Sequence, residues 1–214
     1  MMSSQRSHVL NKCWIVQRLN PELFSYICFK IYSMKNKLTI ALAPLLLIIL
    51  NNEVINAQAK KPNVENKLKD LGIHLSVPAP PTANFLKAVR IGNLVYLSGH
   101  GPDKPEGGQV IGKLGSDLTI EQGQQAARLV GISLLSSLKA EIKDLNKVKR
   151  IVKVLGMVNA IPSFERHSQV MNGFSDLMVE VFGENGKHAR SSVGVGSLPA
   201  NIAVEIEMIV EVRN

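Results

Sequence analysis

The sequence predicts a two-layer α+β domain whose elements run ββαβαββ. Three observations carry that expectation. Segments near residues 120–142 and 164–182 repeat apolar side chains at helical spacing, each along a single face. Shorter segments at 86–91, 94–97, 149–158, 190–195 and 203–212 alternate or run apolar and read as strands. Two one-sided helices need one common sheet face to bury against, which makes two layers and leaves the second face of the sheet unaccounted for.

Residues 60–83 begin polar and basic and reach Val77-Pro78-Ala79-Pro80-Pro81, an extended lead-in. A helical turn over 64–71, stopped at Gly72, fits within it. Segments 86–91 and 94–97 flank Gly92-Asn93 and form a hairpin. The glycine-rich stretch 99–115 is a long loop. Thr119 and Gln122 make a capping box for the first helix, whose buried stripe runs from Ala126 through Val130, Leu134 and Leu138 to Ile142. After the strand at 149–158, Ser163 is the candidate cap of the second helix. Its stripe runs through Val170, Phe174, Leu177 and Val181, and Gly183 stops it. Strands 190–195 and 203–212 close the chain as a second hairpin.

The chain has 214 residues, 45% hydrophobic and 20% charged, with a mean hydropathy of +0.09. Those values exclude a disordered chain, a collagen-like repeat and a multi-span membrane protein. The net charge is +8, but residues 1–59 hold 6 Lys/Arg against 2 Asp/Glu and supply half of it. The folded part is less basic than the pI of 9.6 suggests, and no nucleic-acid partner is expected.

Met34, Lys35 and Lys37 precede an apolar run over 38–50, and Ala57-Gln58-Ala59 places small residues two apart. This is the pattern of a signal peptide over 34–59, cleaved after Ala59, which predicts a periplasmic or secreted protein without stable membrane association. An uncleaved anchor is the alternative, but at about 1.5 Å per residue the run spans roughly 20 Å, short of the ~30 Å hydrocarbon core. Residues 1–33 read as a mis-assigned start, with translation beginning at Met34, or as a disordered extension. Cys13, Cys28 and Trp14 all lie there, so the mature chain carries no cysteine.

The closing strands carry the chemistry. Apolar Val193 and Val195 alternate with Arg190 and Ser192, and Val204, Ile206 and Met208 alternate with Glu205 and Glu207. Paired as a hairpin with apolar opposite apolar, Val193 faces Val204, Ser192 faces Glu205 and Arg190 faces Glu207. That register gathers a guanidinium, a hydroxyl and two carboxylates on one sheet face. A solvated face with weak surface ion pairs has the same pattern.

The run His188-Ala-Arg-Ser-Ser-Val-Gly-Val-Gly-Ser-Leu-Pro199, followed by Val204-Glu-Ile-Glu-Met-Ile209, resembles the C-terminal signature of the RidA/YjgF family of imine deaminases, also called L-PSP endoribonuclease-like. Gly92-Asn-Leu-Val-Tyr-Leu-Ser-Gly99 and the helix holding Asn172 are its earlier landmarks, and the resemblance covers about 84–212. It implies a chorismate-mutase-like domain over 84–214 and a homotrimer packed through the uncovered sheet faces, with a ligand cleft between subunits. It further implies that Arg190 grips a substrate carboxylate and that Glu205 positions water. Asn172 joins the site, and Ser98 and Gly99 line the opposite wall. Phe85 stands where the family often has tyrosine, Ser192 where it often has cysteine, and His100 where glutamine is common.

The leading expectation is an exported hydrolytic deaminase of imines or enamines derived from amino acids. A trimeric binder of 2-keto acids using the same Arg190 is the alternative, and a ribonuclease, implied only by the family's older name, is the third. No cofactor or metal is expected, because His74, His100, His167 and His188 fall in no ligand spacing. Lys143, Lys147, Lys149, Arg150 and Lys153 form a basic cluster of the kind that is ordinarily a solvated face.

Overall fold

The computed structural model describes residues 63–213. The expected extension at 1–33 and signal peptide at 34–59 lie outside the described residues. A short helix α1 (Val64–Asp70) precedes the hairpin β1 (Ala88–Ile91) and β2 (Leu94–His100). Then follow α2 (Ile120–Ile142), β3 (Val148–Asn159), α3 (His167–Phe182), β4 (Ala189–Val195) and β5 (Val204–Val212).

Local chemistry sets several of these boundaries. Asn63 caps α1 by accepting from the Glu65 and Asn66 amides, and Val64 and Leu68 enter the core. Thr119 and Gln122 make the expected reciprocal capping box on α2. Gly183, at φ 61°, ends α3 where a side chain would be strained. Ser163 does not cap α3. The helix starts four residues later, after Arg166, with no side-chain cap, because a turn at Ile161–Phe164 intervenes.

The five strands form one sheet in the order β1-β2-β5-β3-β4. Both long helices cover one face, burying Val130, Leu134, Phe174 and Leu177 against Val154, Val158, Ile206 and Met208. The helices sit close because of glycine. A Cβ at Gly156 would overlap the Met171 side chain of α3, and one at Gly173 would overlap the Gln124 carbonyl of α2. Among the described residues, no helix is long and apolar enough to cross a membrane.

The closing hairpin does not form. β3 inserts between the last two strands, pairing parallel with β4 and antiparallel with β5. Met157 therefore has Val193 on one side and Glu205 on the other, while Val154 has Arg190 and Met208. Val154 and Met208 face the helices, so Arg190 and Ser192 do too; Met157, Val193, Glu205 and Glu207 face the open side. The expected pairing of Val193 with Val204, and the single face shared by Arg190, Ser192, Glu205 and Glu207, are both corrected. Apolar-to-apolar matching fails on β4 because it is an edge strand whose valines lie on the uncovered face.

Candidate functional site

The candidate residues form two clusters on opposite faces of the sheet. The first is built on β4 and α3. Arg190 donates from Nη1 to Asn172 Oδ1 at 3.2 Å and to Ser175 Oγ at 2.8 Å, and from Nη2 to the Ser168 carbonyl at 3.3 Å. Three of the five guanidinium N–H groups are thus held by one helix. Nε–H and one Nη2–H have no acceptor among the described residues. Both N–H groups can donate to a carboxylate.

Ser192 lies two residues along the same face, beside Gly156. Its Oγ is buried and has no hydrogen-bond partner. A buried hydroxyl left unpaired costs about 1–3 kcal/mol.

The second cluster lies on β2 and β5. The Glu205 carboxylate rests directly on Gly99, where any Cβ would overlap it. Burial raises the Glu205 pKa above the ordinary 4.5, and the neighbouring Glu207 charge adds to the effect. Ser98 sits on the same wall, but its hydroxyl donates to the Leu86 carbonyl at 2.6 Å and so ties β2 to the segment before β1. Phe85 is exposed at that edge. A cavity of about 260 Å³ on the open face is lined by Val89, Tyr96, Ser98, Lys153 and Glu207, among others. A larger one, about 570 Å³, lies farther along β4 against Lys113, Phe164, His167 and Gly194, and no candidate residue lines it.

Sequence reasoning missed Ser175. It accepts from Arg190 and lies 3.1 Å from His188 Nε2, while His188 Nδ1 lies 2.7 Å from the Gly186 carbonyl. A signal was present: Ser168, Asn172 and Ser175 recur at steps of four and three, a polar stripe along α3. His100 is buried and bonded at both ring nitrogens, to the Ser98 carbonyl and the Ser137 hydroxyl, each at 2.7 Å. Burial lowers its pKa. It is a packing histidine. Much of the basic cluster is committed within the chain: Lys143 and Lys147 donate to carbonyls at the end of α2, Lys149 pairs with Glu211, and Lys153 donates to Ser191. Among the described residues, no group of three or more His, Cys, Asp or Glu could hold a metal ion.

The family model described as "YjgF/chorismate_mutase-like, putative endoribonuclease" matches residues 65–212. The chain belongs to the RidA/YjgF family. "Protein TCP17" of Trypanosoma cruzi is 43% identical over 152 residues, covering 71% of this chain and 95% of that protein. The "2-iminobutanoate/2-iminopropanoate deaminase" of Dermatophagoides farinae is 32% identical over 62% of this chain and 89% of its own length. The crystal structure of the protein Atu1372 from Agrobacterium tumefaciens, of unknown function, is 40% identical. It superposes with a TM-score of 0.66 over 70% of this chain and 92% of that one. Family membership thus agrees with the α+β fold.

Proposed function

We propose that this RidA/YjgF protein is a hydrolytic deaminase of imines and enamines derived from amino acids, releasing a 2-keto acid and ammonia. The Arg190 fork carries the reading: α3 fixes the guanidinium and leaves its Nε–H and one Nη2–H for a carboxylate. The relative named as an imine deaminase supports the choice of reacting group.

The substrate carboxylate binds the fork, with Ser192 Oγ beside it. Glu205 accepts a proton from water as the water oxygen bonds to the imine carbon, and the C=N electron pair moves to nitrogen. That nitrogen takes the proton back from Glu205 to give a carbinolamine. Glu205 then takes the carbinolamine hydroxyl proton and passes it to nitrogen as the C–N bond breaks and the C=O bond forms, giving the 2-keto acid, ammonia and a free carboxylate. A carboxylate whose pKa is raised by burial is a better base for this step than an exposed one.

Because Arg190 and Glu205 of one protomer face apart, the site is completed between copies. One protomer supplies Arg190, Ser192 and Asn172; the next supplies Ser98, Gly99, Glu205 and the edge at Phe85. Such a head-to-tail contact closes into a ring, and the family resemblance makes the ring a homotrimer. The exposed Val89, Ile91, Tyr96 and Val193 on the open face give it apolar surface to bury. Export with cleavage after Ala59 completes the proposal, and the intact mass of the exported protein should fit a chain starting at Lys60.

The direct test generates imino acids with an amino-acid oxidase and follows 2-keto acid release with and without the purified protein. Acceleration supports the reading. Binding of the 2-keto acid without acceleration reduces the protein to a binder.

A further inference from the structure

We propose that Ser175 and His188 are positioning residues that lock the Arg190 guanidinium in the orientation a carboxylate requires. The inference deepens the reading of Arg190 as a carboxylate fork and rests on it. It begins from a carbonyl. The Gly186 oxygen, 2.7 Å from His188 Nδ1, can only accept, so Nδ1 carries the proton. In the neutral ring Nε2 is then bare and accepts from the Ser175 hydroxyl at 3.1 Å. With its hydrogen committed to His188, Ser175 Oγ turns its lone pairs outward and accepts from Arg190 Nη1 at 2.8 Å.

The chain of donors runs one way, from Arg190 to Ser175 to His188 to the Gly186 carbonyl. Each link fixes the polarity of the next. With Asn172 accepting the second Nη1–H and the Ser168 carbonyl accepting from Nη2, the guanidinium cannot turn without breaking three hydrogen bonds.

The surroundings keep His188 neutral. Burial lowers its pKa below 6.5; the Gly186 hydrogen bond works against this and the nearby Arg190 charge works with it. From α3, Phe174 presents a ring edge to the imidazole, with centroids 5.7 Å apart. On the turn before β4, Lys187 is paired with Glu184. Arg190 is therefore the charge that acts on His188 most directly. Protonation would turn Nε2 into a donor, leave Ser175 Oγ between two cationic donors, and loosen the guanidinium.

Two measurements test this in the whole protein. The first needs no ligand: NMR of the Arg190 side chain reads guanidinium rotation about Nε–Cζ. Rotation should be slow in the native protein and about tenfold faster in Ser175→Ala and in His188→Phe, which keeps a ring beside Phe174. Ser175→Thr should restore slow rotation. In the native protein, rotation should quicken as pH falls through the His188 titration, and in Ser175→Ala it should no longer follow that titration. The second compares pyruvate with pyruvamide. Ser175→Ala and His188→Phe should each weaken pyruvate about tenfold and pyruvamide less than twofold, with the double variant no worse than either single one. Unchanged guanidinium rotation in folded Ser175→Ala, or additive losses in the double variant, would overturn the proposal. Slow rotation that responds as described, in a protein that binds no pyruvate, would uphold the lock and sink the carboxylate reading instead.

Discussion

Arg190 and Glu205 point to opposite faces of one sheet, with β3 between their strands. The guanidinium is bonded to α3 on the covered side, and the carboxylate lies over Gly99 on the open side. No side-chain rotation brings the two together within a protomer. The substitutions below separate their roles.

Arg190→Ala should abolish recognition of carboxylate ligands. A charge-assisted hydrogen bond contributes roughly 1.5–3 kcal/mol, and the fork supplies two, so 2-keto acid affinity should fall by about 10²-fold or more in calorimetry. Arg190→Lys should rescue little. An ammonium can keep neither the three bonds to α3 nor the two N–H groups of the fork.

Glu205→Gln should leave that affinity near the native value and lower kcat by about 10²-fold, because the amide keeps the shape but not the base. The native rate should rise with pH through a value above 4.5, in the direction set by burial and by Glu207. Stability carries the opposite sign. A carboxyl whose folded pKa lies above its unfolded value favours the folded state at acid pH, and that advantage is lost as pH rises through the folded value. Glu205→Gln should therefore melt higher than the native protein at pH 7, with the difference closing in acid.

Gly99→Ala tests the seat of Glu205. Its Cβ would overlap the carboxylate, so the side chain must swing away. Turnover should drop toward that of Glu205→Gln while 2-keto acid binding at Arg190 survives. A fully active Gly99→Ala would show that the carboxylate's position over the glycine is not used.

Ser192→Ala should separate stability from binding in a third way. Removing a buried hydroxyl that lacks a partner should raise the melting temperature, equivalent to about 1 kcal/mol, while weakening ligands that bond to it. A destabilised variant with native affinity would assign the hydroxyl to the fold.

Much of this architecture is legible in the sequence, and its gaps have physical causes. The capping box at Thr119 and Gln122, the stripes on α2 and α3 and the stop at Gly183 depend on neighbours in the chain, so local pattern reveals them. The buried alternation of Val204, Ile206 and Met208 is equally plain because β5 is central and covered by helices. The orientation of β4 is not. Its valines lie on the open face and Arg190 and Ser192 on the helix side, where Ser168, Asn172 and Ser175 meet Arg190. A rule that turns apolar residues toward the core fails on an edge strand whose valines lie on the uncovered face. Insertion of β3 between β4 and β5 is a long-range choice that no local spacing encodes.

The most direct test of the shared site is complementation between two inactive variants. Arg190→Ala and Glu205→Gln are co-expressed with different tags, and the mixed oligomers are purified and assayed for imine hydrolysis. In every mixed head-to-tail trimer, one interface in three joins an intact Arg190 to an intact Glu205 from its neighbour, so roughly a third of the native activity per site should return. Mixed oligomers as inactive as either parent would contradict the account and place both residues in a single protomer's site.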